Sequence, residues 1–253
     1  MDKELKPIEA MLEKFSMEEL EDVIRSGREF RKIMSYYKCA MMEIETKLKV
    51  LNENMSLQHD RNPIESIKTR LKTPESIIEK MIRRKIPFDP KALEEQMFDI
   101  AGVRVICSFL KDVYFLEEHL LRQDDVVLVE RKDYIEGPKA NGYRSLHLIV
   151  SIPIFLAGET RLMNVEIQLR TIAMDFWASL EHKMRYKKNI SPNQVKFLQD
   201  ELSDCARQSA ALDERMQNIR NVIIQNSPEE EDEEGIFLPL GLPITRENRR
   251  RPL

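Results

Sequence analysis

VEIQLRT, residues 165 to 171, alternates apolar and polar side chains without a break. A strand repeats every two residues, so Val165, Ile167 and Leu169 line one face while Glu166, Gln168 and Arg170 line the other. A core strand with one wholly polar face needs a polar partner. That face either looks into water or floors a site.

This stretch belongs to LMNVEIQL (162 to 169), one of four short β-rich runs; the others are VRVICSF (103 to 109), DVVLVER (125 to 131) and SLHLIVSI (145 to 152). Helical patterns separate the first two and follow the last. The expected fold is therefore α/β, a mixed sheet of four to five strands flanked by long N- and C-terminal helices. Residues 7 to about 57 read as helical, with Phe30, Ile33, Tyr37, Met41, Ile44, Leu48 and Leu51 at spacings of three and four. A second stripe, Leu198, Leu202, Cys205, Ser209, Leu212, Met216, Ile219 and Ile223, is nearly a heptad seam. Core packing is the simpler reading of that stripe, and an oligomer seam is the alternative. The expected organisation is N-terminal helices over 1–57, an α/β core over 58–190, a C-terminal helix over 191–226 and an acidic, proline-containing tail over 227–253, expected to be disordered.

The chain of 253 residues suits one sizeable core with helical extensions. Its formal charge is −4, of which the run Glu229 to Glu234 supplies six negative charges, leaving +2 on the remainder. A body so nearly neutral does not suit a bulk electrostatic binder of nucleic acid, so nucleic acid is not expected as the main partner. Cys39, Cys107 and Cys205 are scattered with no CxxC pair, which fits a reducing cytoplasm. The N-terminus shows no export signal, and the longest apolar run, LIVSIPIFLA, is short and contains Pro153, so no membrane partner is expected.

Three further stretches carry chemistry. In IKTRLKTPESIIEKMIRRK (67 to 85), Thr73 is a natural N-cap and Pro74 a natural first helical residue. Lys72, Ser76 and Lys80 then share one face beside the free N–H groups of the first turn, an arrangement that favours an anion. With seven glycines and no GxxxxGK the chain has no P-loop, so a polyphosphate would be held by side-chain cations. In FDIAGVRVICSF, Asp99 lies just ahead of a buried strand and Arg104 points away from Val103 and Val105. Asp99 and Glu166 on neighbouring strands would offer two hard oxygen ligands of the kind that hold magnesium on a polyphosphate. In PKANGYRSLH (138 to 147), a tight-turn signal at Asn141-Gly142 sits among Lys139, Tyr143, Arg144 and His147, which together offer cations, a π face and a titratable donor. His59-Asp60 is read as a chance HD dipeptide, and Trp177 as a core residue.

Taken in order, RLKTPESIIEK, FDIAGVRVICSF, KDYIEGPKANGYRSLH, VEIQLRT and AMDFWASLEHKMRYK resemble the small alarmone synthetases, single-domain relatives of the bacterial RelA/SpoT enzymes, over roughly residues 25 to 225. The resemblance implies a nucleotidyltransferase-like sheet and a GTP pyrophosphokinase that moves the β,γ-pyrophosphate of ATP to the ribose 3′-hydroxyl of GDP or GTP, with Mg2+ as cofactor. It implies that Arg70 and Arg104 sandwich the adenine and that Lys72, Ser76 and Lys80 hold the ATP phosphates. Asp99 and Glu166 would take the magnesium, Glu166 also acting as base. Tyr143 would stack on guanine, with Lys139, Arg144, His147 and Gln168 around the acceptor. Synthesis without hydrolysis and a homotetramer are further expectations. Asp175 stands where the branch activated by its own product is expected to carry asparagine, so the unregulated branch is the nearer likeness. The alternative function is a non-catalytic binder of nucleotide or single-stranded RNA that keeps the same pocket.

Overall fold

The computed structural model describes residues 17–59, 62–87, 89–185 and 192–226. The elements are α1 (Met17–His59), β1 (Ile64–Leu71), α2 (Pro74–Arg84), α3 (Pro90–Gln96), β2 (Ala101–Cys107), α4 (Leu110–Leu121), β3 (Val127–Asp133), β4 (Leu146–Phe155), β5 (Thr160–Thr171), α5 (Ile172–Arg185) and α6 (Pro192–Asn226). The tail from Ser227, the helical expectation before residue 17 and Asp60 of the HD pair lie outside the described residues.

The strands form one sheet in the order β1-β2-β5-β4-β3. β2 and β5 run parallel, and every other neighbouring pair is antiparallel. The fifth strand, β1, is one the sequence reading does not list as a strand. Its eight residues IESIKTRL are mostly polar and exposed because it forms a sheet edge. At the other end of β4, Pro153 does not end the strand. β3 pairs with β4 only as far as Ser151, so beyond it β4 is an edge and tolerates a residue without an N–H.

The alternation read from β5 is realised as a dry face and a polar face. Met163, Val165, Ile167 and Leu169 are buried and join one core with Val103 and Val105 of β2 and Leu148 and Val150 of β4. Helix α1 lies across β1, β2, β4 and β5 on this side, and its stripe Ile33, Tyr37, Met41, Ile44 and Leu48 is buried there. Tyr36 Oη donates to Glu159 at 2.6 Å and Lys47 Nζ reaches Asp125 at 2.8 Å, fixing the helix along the sheet.

The second half of the α6 stripe overturns its reading as core, while in the first half Leu202 packs on the Trp177 cluster and Ser209 Oγ donates to Ala173 O at 3.1 Å. Leu212, Met216, Ile219 and Ile223 are 47 to 61% exposed, while Ala206, Asp213 and Gln217 form the buried side. The physical reason is a polar docking face whose members are satisfied. Thr171 Oγ1 donates to Asp213 Oδ2 at 2.6 Å, the Lys111 backbone N–H donates to Gln217 Oε1 at 3.0 Å, and Arg220 pairs with Asp112 at 3.0 Å. Trp177, expected in the core, packs on Ala178 and Ala206 in a smaller cluster and donates its indole N–H to Leu202 O at 2.9 Å.

The connection between β3 and β4, residues 134–145, is no two-residue hairpin. Gly142 N donates to Lys139 O at 2.8 Å, closing a turn in which Gly142 takes φ +85°. A Cβ on Gly142 would lie 2.4 Å from the Cβ of Ala206 on α6. Gly142→Ala therefore meets both a left-handed backbone and a clash, and is expected to cost about 1–3 kcal/mol. Urea denaturation should show a lowered midpoint, and Ala206→Gly in the same chain should recover only the steric part.

Candidate active site

Register builds the site. Two rows of residues cross the open face of all five strands. One is Lys68, Arg104, Gln168, His147 and Lys132; the other is Arg70, Gly102, Glu166, Ile149 and Glu130. Gly102 opposite Glu166 leaves that second row without a side chain between Arg70 and Glu166. A cleft of about 430 Å³ opens there, lined by Lys68, Arg70, Lys72, Asp99, Arg104, Glu166 and Gln168 among others. A second recess of about 190 Å³ lies across Glu166, between Lys132, Tyr134, Lys139 and His147. Glu166 lines both.

At one end, Lys72 and Lys80 both reach Asp99 Oδ2 at 2.6 Å. Thr73 caps α2, accepting from Ser76 N at 3.4 Å, and Ser76 Oγ lies 3.1 Å from Thr73 Oγ1. Lys72, Ser76 and Lys80 thus gather at the start of α2 as expected, with the carboxylate of Asp99 between the two lysines. Burial resists the charge on Asp99, but the two lysines outweigh it and its pKa falls below the ordinary aspartate value. Burial depresses the pKa of Lys80, partly offset by Asp99. Asp99 Oδ1 is buried with no hydrogen-bond partner.

At the centre, burial again opposes the charge on Glu166, yet His147 and Gln168 prevail and its pKa is lowered. His147 Nδ1 stands 3.4 Å from Glu166 Oε1, and Gln168 Nε2 donates to Oε2 at 3.0 Å. Both carboxyls are therefore held ionised beside one another. Arg104 is half-buried, its pKa depressed by desolvation and by Arg170, and Arg70 stands exposed on β1 at the same cleft.

At the far end, Tyr143 Oη lies 2.8 Å from His147 Nε2, and its ring meets those of Tyr134 and His147 edge-on. Lys139 Nζ sits over the rings of Tyr134 and Tyr143, at 4.2 and 5.0 Å from their centroids. Ser76, Lys80, Tyr143 and Arg144 line neither recess; Lys80 and Tyr143 still contact residues that do, Asp99 and His147, whereas Arg144 turns elsewhere. Its Nε approaches Ile135 O at 3.4 Å, and it lines a separate hollow with Met174, Trp177 and Asp213 under α6.

Lys68, Tyr134 and Asp175 stand at the site without being expected there from the sequence, and Arg170 is expected only as part of the polar face of β5. Lys68 is readable, since Lys68 and Arg70 alternate with Ile67 and Leu71 as on a strand. Asp175, on the first turn of α5, accepts from Arg170 at 3.0 Å and from Lys68 at 3.4 Å, and lies 3.6 Å from Arg104. No local pattern announces that convergence of three strands on one helix start.

A mixed α/β sheet with two ionised carboxylates ringed by cations and an aromatic cluster defines a nucleotide-handling transferase of the phosphate-transfer type. A family model described as a region found in RelA / SpoT proteins matches residues 69–191. The chain is 42% identical to the GTP pyrophosphokinase YwaC of Bacillus subtilis over 209 residues, 82% of this chain and 98% of that protein. It is 36% identical to the GTP pyrophosphokinase YjbM of the same organism, over 78% of this chain and 90% of that one. The crystal structure of small alarmone synthetase 1 from Bacillus subtilis bound to its product pppGpp matches with TM-score 0.69 and 35% identity, over 78% of this chain and 98% of that chain. The chain belongs to the RelA/SpoT family and, within it, to the small alarmone synthetases.

The lowered pKa of Asp99 has a consequence for stability. A carboxyl whose folded pKa lies below its unfolded value stabilises the fold above the unfolded value, and that stability is lost as pH falls through the folded one. Asp99→Asn should therefore be less stable than wild type at about pH 7, with the gap closing below about pH 4, the ordinary aspartate range. Urea midpoints across the acid range would check it; a gap independent of pH would contradict the assignment.

Proposed function

We propose that the protein transfers the β,γ-pyrophosphate of ATP to the 3′-hydroxyl of GDP or GTP, giving AMP and (p)ppGpp. The observation that carries the reading is the pair Asp99 and Glu166, both held ionised in a cleft that Lys68, Arg70, Lys72 and Arg104 also line. The relatives are GTP pyrophosphokinases, and one is bound to pppGpp in its crystal structure. No finding favours the non-catalytic nucleotide or RNA binder.

In this mechanism Arg70 and Arg104 flank the adenine across the cleft, and Lys72, Ser76 and Lys80 hold the phosphate chain at the start of α2. Tyr143, which borders the neighbouring recess through His147 and Lys139, stacks on the guanine, with those two residues beside the acceptor. Glu166, which borders both spaces, takes the proton of the 3′-hydroxyl. The hydroxyl oxygen bonds to the β-phosphorus as the bond from that phosphorus to the α–β bridging oxygen breaks, and AMP leaves with that oxygen. Positioning and charge neutralisation supply most of such a reaction. Arg144, turned toward α6, is left outside this scheme.

Mg2+ fits the two carboxylates. Asp99 Oδ1 is a buried oxygen without a partner, Glu166 is charged beside it, and both are hard donors. Among the described residues no group of three or more His, Cys, Asp or Glu is arranged for a metal; an ion held by these two carboxylates would complete its shell with waters and substrate phosphates. When bound, the ion would neutralise charge on the transferred phosphates.

The wider setting follows the same reading. No helix among the described residues is long and apolar enough to cross a membrane. The three cysteines are free, in keeping with a cytoplasmic location. Asp175 is engaged by three cations of its own subunit, in keeping with an enzyme not activated by its product. The exposed stripe of α6 supports a homo-oligomer, for which the family likeness favours a tetramer.

Incubation with ATP, Mg2+ and GDP or GTP should yield AMP and a 3′-pyrophosphorylated guanosine nucleotide; absence of that product would sink the reading. Glu166→Gln should bind nucleotides and fold, yet turn over on the order of 10²-fold more slowly or worse. Near-wild-type turnover would remove Glu166 as the base. The double variant Met216→Glu, Ile219→Lys should lower the mass seen by light scattering with helix content kept, and a monomeric wild type at micromolar concentration would refute the assembly.

A further inference from the structure

We propose that Arg170 is a positioning residue for this reaction: anchored by Asp175, it sets the direction of both side-chain contacts on Glu166 and holds neutral His147 as the Nδ1–H tautomer. The proposal rests on the reading of Glu166 as base, and its first readout does not depend on turnover.

Arg170 is buried, 5% exposed, at the end of the polar face of β5. One terminal nitrogen donates to Asp175 Oδ1 at 3.0 Å, and the other donates to Tyr143 Oη at 2.7 Å and to Gln168 Oε1 at 3.2 Å. A guanidinium can only donate, so each partner must turn an oxygen toward it. For Gln168 this fixes the amide: Oε1 faces Arg170, and Nε2 therefore faces Glu166 Oε2 at 3.0 Å. For Tyr143 it fixes the hydroxyl, which accepts from Arg170 and is free to give its proton to His147 Nε2 at 2.8 Å.

A neutral imidazole that accepts at Nε2 carries its proton on Nδ1. That nitrogen is the one facing Glu166 Oε1 across 3.4 Å. Two arms thus leave Arg170 and close on the two oxygens of one carboxylate; the inability of Arg170 to accept sets the Gln168 arm outright and leaves the Tyr143 proton available for His147 Nε2 in the other. Without that anchor, Gln168 can flip and present an oxygen to Glu166, the Tyr143 hydroxyl can rotate away, and His147 can move its proton to Nε2.

Asp175 holds the anchor in place. Lys68 and Arg104 also approach its carboxylate, but of the three cations Arg170 is the one whose other nitrogen enters the ring around Glu166. The Nε of Arg170 is buried without a partner, so its side chain keeps an unmet donor in order to hold this geometry.

The test uses the full chain labelled with 15N. Long-range proton–nitrogen spectra of the imidazoles are recorded about two pH units above the ordinary histidine pKa, with the His147 signals assigned from a His147→Gln sample. Wild type should show Nδ1–H. Arg170→Gln and Tyr143→Phe should both lose that preference, and Arg170→Lys, which still donates, should recover part of it. Should Arg170→Gln fail to fold, Tyr143→Phe, which keeps the ring, decides alone. In steady-state assays kcat should fall about 10- to 100-fold, as for other outer-sphere partners, with KM for ATP near wild type. An unchanged tautomer in the folded variants, or a changed tautomer with unchanged kcat, would overturn the proposal. If wild type makes no pyrophosphorylated guanosine, the function falls, and the tautomer result alone decides whether Arg170 orders the ring.

Discussion

The register of β5 between β2 and β4 is the constraint on which the rest of the molecule depends. It sets Gly102, Glu166 and Ile149 in one row and Arg104, Gln168 and His147 in the next. Because side chains alternate, a slip by one residue would send Glu166, Gln168 and Arg170 into the core under α1 and expose Val165, Ile167 and Leu169. Full burial of the latter three under α1 and α4 makes that slip costly, at roughly 1.5–3 kcal/mol for each large apolar side chain. The hydrophobic core thus does more than stabilise. It selects which atoms meet on the opposite face.

Electrostatics on that face follow from the same rows. The cationic side chains gathered on that half-buried surface would repel one another, and the fold answers with carboxylates placed at the strand and helix ends. Asp99 stands between Lys72 and Lys80, and Asp175 between Lys68, Arg104 and Arg170. A carboxylate in a cluster of cations stays ionised despite burial, which is why the pKa of Asp99 falls. Glu166 differs. Its neighbours are an imidazole and an amide, so its charge is moderated by groups whose proton positions depend on one another. That difference suits a fixed ligand at Asp99 and a proton acceptor at Glu166.

Much of this was legible in the chain because strand alternation and helix capping are local. VEIQLRT announces its two faces, Thr73-Pro74 announces the start of α2, and Asn141-Gly142 announces a turn. β1 was hidden because an edge strand with both faces partly wet shows no apolar run, although Lys68 and Arg70 betray its period. Arg144 lies away from both recesses for a different reason. Its neighbours Tyr143 and His147 point to the site, but the irregular backbone before β4 breaks the alternation and turns Arg144 to α6. Asp175 and Arg170 form a contact across five residues of a strand-to-helix junction, where neither the period of two nor that of 3.6 applies. The domain that such junctions build can be read only once the sheet order is known.

Helix α6 shows why an apolar stripe alone does not name the buried face. Its inner side is small and polar: Ala206 meets the Tyr143 loop, while Asp213, Gln217 and Arg220 pair with β5 and α4. Buried polar groups that are fully paired cost little, and here they are worth more to this subunit than the leucines and isoleucines that face away. Among the described residues Leu212, Met216 and Ile219 are left as an outward strip at helical spacing. A twofold contact would cover it with its own copy and close on itself. The two faces belong to one rigid element, so any surface that covers the strip also steadies Ala206 against Gly142, and with it the loop that carries Tyr143. Any packing on the outer strip and the placement of the aromatic ring would in this way be properties of the same helix.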